Sequence, residues 1–144
     1  MITVSESIII ERPLSEVFAA TADPFVQLKW DPKGLKSVEK VTPGPLEKGA
    51  RFRGQIAGFG TVEYEFSEYE IDRRFEHRSF LPIGEGRHVF EFESVEDKTR
   101  ITQTMYIKPK FLLGLLSPLM RRMMSKRLRQ INMEVQEYFK SGAN

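Results

Sequence analysis

Hydrophobic and polar residues alternate along most of this chain, and the alternation changes to a helical period after about residue 117. A first alternating segment, Ile2–Glu11, predicts a strand. The same pattern predicts six more strands over Leu35–Thr42, Ala50–Ala57, Thr61–Ile71, Phe75–Leu81, Arg87–Val95 and Thr99–Ile107. Because short segments rich in Gly, Pro and Asp separate these strands, an antiparallel meander is expected.

Two short helices are predicted between the first strand and the second. The first begins at Ser15, and its apolar residues precede Asp23. The second covers Phe25–Trp30 and ends at Asp31, which a proline follows. These helices lie early in the chain and are too short to cover a whole sheet.

The last third of the chain predicts one long amphipathic helix. At about 100° per residue, one side collects the apolar residues Met120, Met123, Met124, Leu128, Ile131, Val135, Tyr138 and Phe139. Ser117 and Pro118 are start signals, and Gly142 stands where a left-handed terminating residue is expected. A helix from Pro118 to Lys140 is about 34 Å long, which is enough to cross a sheet.

The order of these elements predicts an α+β fold in one domain, residues 1–144. A curved antiparallel sheet of about seven strands would wrap around the long helix, with the two short helices at one end. The positions expected to face inward are Phe52, Ile56, Val62, Tyr64, Phe66, Phe90, Phe92, Ile101, Met105 and Ile107. A curled sheet of this kind leaves a gap under the helix unless side chains fill it.

Four segments carry a resemblance to a known family: Ile10–Phe18, Asp23–Pro32, Gly44–Phe52 and Asp97–Thr102. They resemble the START-like (SRPBCC) superfamily, in its branch of polyketide cyclase/dehydrase and lipid transport proteins. The resemblance implies a helix-grip fold with a deep apolar cavity between the curved sheet and the C-terminal helix. It also implies that the ligand is a lipid, a polyketide, a hormone or another apolar molecule, and that only some members catalyse a reaction.

Two histidines are the candidates for catalysis. His77 shares a side of its predicted strand with Phe75, and His88 shares a side with Phe90, so either ring could project into the cavity. A cavity histidine could move a proton in a cyclisation or a dehydration. The alternative is a rim or core histidine that is hydrogen-bonded to a neighbour.

Arg127 is the candidate anchor for an acidic ligand. It falls within the apolar side of the long helix, where its guanidinium could bind a carboxylate or a phosphate. The alternative is that Arg127 extends to the cavity rim or pairs with a sheet carboxylate such as Glu6.

The remaining candidates are expected to line the cavity. Methionines suit a wall that accepts ligands of varied shape, and Gln103 would offer a polar contact. The full candidate lining is Trp30, Phe52, Tyr64, Phe66, His77, His88, Phe90, Gln103, Met105, Met120, Met123, Met124, Arg127 and Ile131. Core packing could account for the aromatic residues and methionines equally well.

Composition and charge narrow the classes of function. The chain has no cysteine, which excludes disulfides and thiolate chemistry and fits a cytoplasmic location. The N-terminus does not resemble a signal peptide. No metal-ligand cluster, phosphate loop or dinucleotide fingerprint is visible, so neither a metal nor a cofactor is expected.

Basic residues are concentrated towards the C-terminus. Nine Lys or Arg and no acidic residue lie between Lys98 and Met133, although the net charge is only +2. The apolar stretch Phe111–Leu116 has basic residues on both sides, and it would either cap the cavity or contact an anionic membrane surface. Nucleic acid is not expected as a partner, because the basic face lacks interleaved aromatic residues.

Three functions are consistent with these observations. The first is the binding of an apolar small molecule or lipid in the cavity. The second is a polyketide cyclase or dehydratase activity. The third is an interaction module that docks its basic helix on a membrane or an acidic partner.

Overall fold

The computed structural model describes residues 1–82, 84–110 and 117–142. Its elements follow in the order β1 (Ile2–Ile10), α1 (Leu14–Ala22), α2 (Pro24–Trp30), β2 (Leu35–Lys40), β3 (Arg51–Ile56), β4 (Gly60–Glu70), β5 (Arg74–Leu81), β6 (Gly84–Val95), β7 (Lys98–Pro109) and α3 (Ser117–Lys140). The strands form one antiparallel sheet in the order β1-β7-β6-β5-β4-β3-β2. The α+β fold predicted from the sequence is confirmed.

Alternation along each strand separates a buried face of the sheet from an exposed one. In β3, Phe52 and Gly54 are buried while Arg51 and Arg53 are exposed. The first strand lies beside the last one: β1 pairs with β7, from Ile2 opposite Ile107 to Ile10 opposite Thr99. The sheet is therefore a meander from β2 to β7 with β1 added at its far edge.

The last hairpin is longer than the sequence predicted. Strand β6 begins at Gly84 and pairs there with Pro109, so β6 starts earlier and β7 ends later than expected. The residues at this end include Gly86 and Lys108, which do not extend the hydrophobic alternation of either strand. Backbone hydrogen bonding between β6 and β7 thus continues beyond the part of each strand that shows hydrophobic alternation.

Helix α3 packs its apolar side on the sheet. Its buried residues are Met124, Leu128, Ile131, Asn132, Val135, Tyr138 and Phe139. The chain leaves the helix at Gly142, which has a φ of 77° and whose N–H donates to the Phe139 carbonyl at 3.3 Å. Met123, which was predicted on the apolar side, is 62% exposed, so that side is wider than the face that packs.

Packing is unequal along the sheet. At one end, α1 and the C-terminal half of α3 cover a dense aromatic cluster that includes Phe18, Phe66, Phe75 and Phe92. At the other end, the smaller cluster of β1, β7 and α3 is built from Ile2, Val4, Ile107, Met124 and Leu128. The short helices end before this second region, which leaves space between the N-terminal half of α3 and the middle strands.

Among the residues that the structure describes, no helix has both the length and the apolar character needed to cross a membrane.

Candidate functional site

A cavity of about 430 Å³ lies between α3, α2 and the inner face of the sheet. Its walls include predicted candidates from all three: Trp30, Tyr64, His77, His88, Phe90, Met105, Met120, Met123, Met124, Arg127 and Ile131. The structure therefore brings these side chains around one space. Their contact with a ligand stays a prediction.

Three predicted lining residues lie elsewhere. Phe52, Phe66 and Gln103 are fully buried and are absent from the cavity wall. Phe52 and Phe66 pack against each other in the dense aromatic cluster, with ring centroids 5.6 Å apart. Alternation identifies the inner face of a strand correctly, but it cannot show which part of that face other side chains cover.

Gln103 is instead part of a hydrogen-bonded chain that joins the sheet to α3. Its Nε2 donates to the Leu128 carbonyl oxygen at 3.1 Å and to the Asn132 side-chain oxygen. Its Oε1 lies 2.9 Å from Nε2 of His88. Because Gln103 is 0% exposed, these partners replace water completely. The amide holds the His88 ring in one orientation at the cavity wall.

His77 sits beside His88 in an aromatic environment. The two residues are opposite each other on β5 and β6, and their ring centroids are 6.4 Å apart. The His77 ring also packs edge-on against Phe66 at 4.5 Å. Its Nε2 is buried, and the described part of the chain offers it no hydrogen-bond partner.

Both histidines are neutral near pH 7. Burial, and to a smaller extent the neighbouring His88, lowers the pKa of His77 to about 3. Burial also lowers the pKa of His88 to about 4, against the effect of its bond to Gln103. An effective general base has a pKa near the working pH. These imidazoles are therefore better suited to hydrogen bonding than to proton abstraction.

Arg127 is bound within the protein. Its Nη2 donates to Asp31 Oδ2 at 2.7 Å, and Asp31 is 0% exposed. Asp31 also accepts from Gln27 Nε2 at 3.0 Å and from the Gly34 backbone N–H at 3.1 Å. The carboxylate thus has three donors, and the guanidinium lines the cavity with its charge already balanced.

The partner of Arg127 differs from the one considered from the sequence. Glu6 pairs with Arg129 at 2.9 Å, on the outer side of α3. The pair of Arg127 with Asp31 also requires Gly34, since a Cβ there would be 2.1 Å from Arg127 Nη2. Arg127 thus pairs with Asp31 of the helix-to-strand connection and not with a sheet carboxylate, and its role as an anchor for an acidic ligand stays a prediction.

Sequence reasoning missed two acidic residues close to Arg127. One is Asp31, which the sequence pattern placed only at the end of a helix. The other is Glu134, whose carboxyl accepts from Gln130 at 3.3 Å and whose pKa is raised to about 7 by burial and then by the nearby Asp31. Glu134 follows Arg127 by seven residues, which places it about 20° away on the helix. The position of Arg127 on the helix could therefore have pointed to Glu134 as its neighbour.

The cavity opens at the end of the sheet where α3 begins. Phe59, Leu81 and Val62 are shared between the cavity and a more open cleft of about 580 Å³ that also includes Lys108 and Lys110. The segment 111–116, predicted either to cap the cavity or to contact a membrane, lies outside the described residues.

The sequence matches the family of polyketide cyclase / dehydrase and lipid transport proteins over residues 1–136. The chain belongs to this family. No curated protein matches it. The family and the fold together suggest a ligand-binding protein, without identifying the ligand.

Solved structures show the same fold at low sequence identity. A START superfamily protein from Mycobacterium smegmatis has a TM-score of 0.79 and 10% identity, with coverage of 96% of this chain and 97% of that chain. A hypothetical protein from Helicobacter pylori, jhp0584, has a TM-score of 0.79 and 20% identity, with coverage of 94% and 86%. The protein TTHA0849 from Thermus thermophilus has a TM-score of 0.76 and 19% identity, with coverage of 99% of both chains. The family match and the shared fold agree with the START-like resemblance of the sequence.

Proposed function

We propose that this protein binds an apolar small molecule or lipid in the cavity between α3 and the sheet. The observation that supports this most strongly is the cavity itself, about 430 Å³ in volume. Ligand sites in proteins have volumes of about 300–1,000 Å³ and mostly apolar walls with a few polar groups. The methionines and aromatic rings of this wall, with His77 and His88 as polar groups, match that description.

The binding free energy would come mainly from apolar surface. Burial contributes about 25 cal/mol per Å², so a ligand that buries about 200 Å² of apolar area gains about 5 kcal/mol before the costs of association. Met105, Met120 and Met124 are flexible enough to adjust to ligands of different outline. Affinity is therefore expected to follow apolar area more closely than charge.

The cyclase or dehydratase alternative receives less support from the site. A reaction of this kind needs a group that exchanges protons near neutral pH. His77 and His88, the two candidates from the sequence, hold pKa values of about 3 and about 4. Glu134, whose pKa is about 7, does not belong to the cavity wall. We therefore propose ligand binding, and not catalysis, as the function.

Filling the cavity with Ser79→Phe is expected to weaken ligand binding at least tenfold. Ser79 lines the cavity on β5, and a phenyl ring there would occupy space that the ligand needs. The measurement is fluorescence titration with 1-aminoanthracene, an apolar reporter dye, together with native mass spectrometry for any copurified lipid. Thermal unfolding confirms that the variant is folded.

The control is Ser94→Phe, the same change at an exposed position of β6 outside the cavity wall. It should bind the dye as the wild-type protein does. Equal dye affinity for Ser79→Phe and wild type would refute the cavity as the binding site.

A second candidate function, docking on an anionic membrane, is favoured by the surface of α3 near the cavity opening. Leu119 and Met123 are 54% and 62% exposed there. Arg121, Arg122 and Lys126 are exposed on the same part of the helix, and none of them pairs with a carboxylate of the described residues. Arg121 donates to the Thr3 carbonyl oxygen at 2.8 Å, which leaves its positive charge unbalanced. Apolar residues beside basic ones without a carboxylate partner match the surface of an anionic bilayer, where each basic residue contributes about 1 kcal/mol.

Replacing Arg121, Arg122 and Lys126 together by Gln is expected to weaken binding to phosphatidylserine-containing vesicles by about a hundredfold, since about 3 kcal/mol of attraction is lost. Cosedimentation with vesicles at two salt concentrations measures it, because salt screens the same attraction. A triple Gln variant at Lys29, Lys48 and Arg73 makes the same change of charge at other positions outside α3. If both triple variants lose affinity equally, the effect is one of net charge, and the α3 surface is not the docking site.

A further inference from the structure

The hydrogen-bonded chain behind the cavity fixes the orientation of the Gln103 amide. Its partners on α3 are the backbone carbonyl of Leu128 and the side-chain oxygen of Asn132. A carbonyl oxygen can only accept, so the Gln103 NH₂ group must face α3. Both amide hydrogens are then used, and Oε1 faces His88.

This orientation determines the tautomer of His88. Gln103 Oε1 is an acceptor, so the His88 Nε2 that lies 2.9 Å from it carries the hydrogen. The ring is neutral near pH 7, because burial holds its pKa well below the usual range. A neutral ring with hydrogen on Nε2 has a bare lone pair on Nδ1. His88 therefore gives the cavity wall one hydrogen-bond acceptor.

His77 provides the complementary group. It is also a neutral imidazole, so it carries one N–H and one acceptor nitrogen. Its Nε2 is closed off by the surrounding side chains and has no hydrogen-bond partner within the described residues, so Nδ1 is the nitrogen left to meet a ligand. Both rings line the cavity, and 6.4 Å between their centroids is close enough for one ligand oxygen to hydrogen-bond with both.

The charges at the site disfavour an acidic ligand. Three cations of the described residues line the cavity: Arg127 is paired with Asp31 at 2.7 Å, Arg87 is paired with Glu76 at 2.7 Å, and Lys33 is exposed to solvent. A ligand carboxylate held deep in the cavity would have to displace one of these two pairs or remain without a cation, and a buried unpaired charge is costly.

We propose that the cavity selects neutral ligands that carry a hydroxyl group, held between His77 and His88. The hydroxyl hydrogen is donated to Nδ1 of His88, and the hydroxyl oxygen accepts the N–H of His77. The rest of the ligand lies against the methionines and aromatic rings. This inference rests on the proposed function, and it adds the chemical class of the ligand to it.

The test compares three ligands of nearly equal size by displacement of 1-aminoanthracene. They are 2-naphthol, 2-methoxynaphthalene, which cannot donate, and 2-naphthoate, which is anionic. We expect 2-naphthol to bind about tenfold more tightly than 2-methoxynaphthalene, because one unmade hydrogen bond at a buried site costs about 1–2 kcal/mol. We expect 2-naphthoate to bind more weakly than 2-naphthol.

Variants assign the preference to the histidines. His77→Phe and His88→Phe should each bring the ratio of the affinities for 2-naphthol and 2-methoxynaphthalene closer to one. The control, Met105→Leu, changes an apolar wall residue and should leave the ratio unchanged. Equal affinities of wild type for 2-naphthol and 2-methoxynaphthalene, or tighter binding of 2-naphthoate, would overturn the hydroxyl site and leave the apolar cavity standing.

The tautomer has its own test in the wild-type protein. The ¹⁵N chemical shifts of the two histidines distinguish the protonated nitrogen of each ring, and we expect His88 to carry hydrogen on Nε2. Hydrogen on Nδ1 would contradict the arrangement whatever the ligand data show. If the wild-type protein binds neither the dye nor any of the three naphthalenes, the proposed function fails together with this inference.

Discussion

Arg127→Met is expected to lower the free energy of unfolding by about 3 kcal/mol at pH 7. The variant leaves Asp31, a fully buried carboxylate, without its cation. Removing one partner of a buried ion pair typically costs about 3–5 kcal/mol. The lower value applies because the Arg127 side chain is 30% exposed and Asp31 keeps its bonds from Gln27 and Gly34. Urea denaturation measures the change.

The chain offers a matched control on the same helix. Arg129 forms an ion pair with Glu6 at the surface, where its side chain is 57% exposed. Surface pairs contribute about 0–1 kcal/mol, so Arg129→Met should lose about 1 kcal/mol or less. The double variant Asp31→Asn/Arg127→Met should recover part of the loss, since no charge is then left unpaired. Equal losses for Arg127→Met and Arg129→Met would show that the buried pair does not stabilise the fold.

Acidification is expected to destabilise the protein through its two histidines. The folded pKa values, about 3 for His77 and about 4 for His88, lie below the ordinary value of 6.5. The unfolded chain therefore binds protons that the folded protein does not. Stability from the neutral rings is complete above pH 6.5, and it is lost as the pH falls towards 4 and then 3. Each histidine accounts for a loss on the order of 3 kcal/mol across that window.

The difference in unfolding free energy between wild type and His77→Phe isolates this effect. Glu134, whose pKa of about 7 has the opposite consequence between about pH 4.5 and 7, is present in both proteins and cancels. The wild type should lose stability relative to His77→Phe as the pH is lowered from about 6.5 to about 3.5. A difference that stays constant with pH would mean that His77 titrates normally and is not held neutral by burial. Tyr69→Phe, which removes no histidine, is the control.

The sequence predicted the fold well because the sheet and the helix each have their own period of hydrophobic residues. Alternation placed Phe52 and Tyr64 on the buried face of the sheet, and the 100° spacing placed Leu128 and Ile131 on the packed face of α3. Gly142 also has the left-handed conformation that was expected. These features depend on local patterns, which the sequence displays directly.

The site was less accessible to prediction because it depends on contacts between distant segments. Phe66 is inward, as predicted, yet it lies under the dense cluster and away from the cavity. Asp31 and Arg127 are 96 residues apart, and no sequence period connects them. Gln103 was predicted at the inner face, but its bonds to His88 and Leu128 depend on the register of β6 with β7 and the height of α3. The sequence identified most of the participants and only a few of the pairings.

The uneven packing along the sheet bears on how a ligand would enter the proposed site. Local openings of a protein cost least where few buried apolar contacts must be broken. The two short helices and the C-terminal half of α3 close over the dense aromatic cluster, whereas the N-terminal half of α3 lies over the cavity. We therefore expect local opening to cost less free energy in that half of α3 than at the far end. A ligand bound in the cavity would then exchange while most of the chain remains folded.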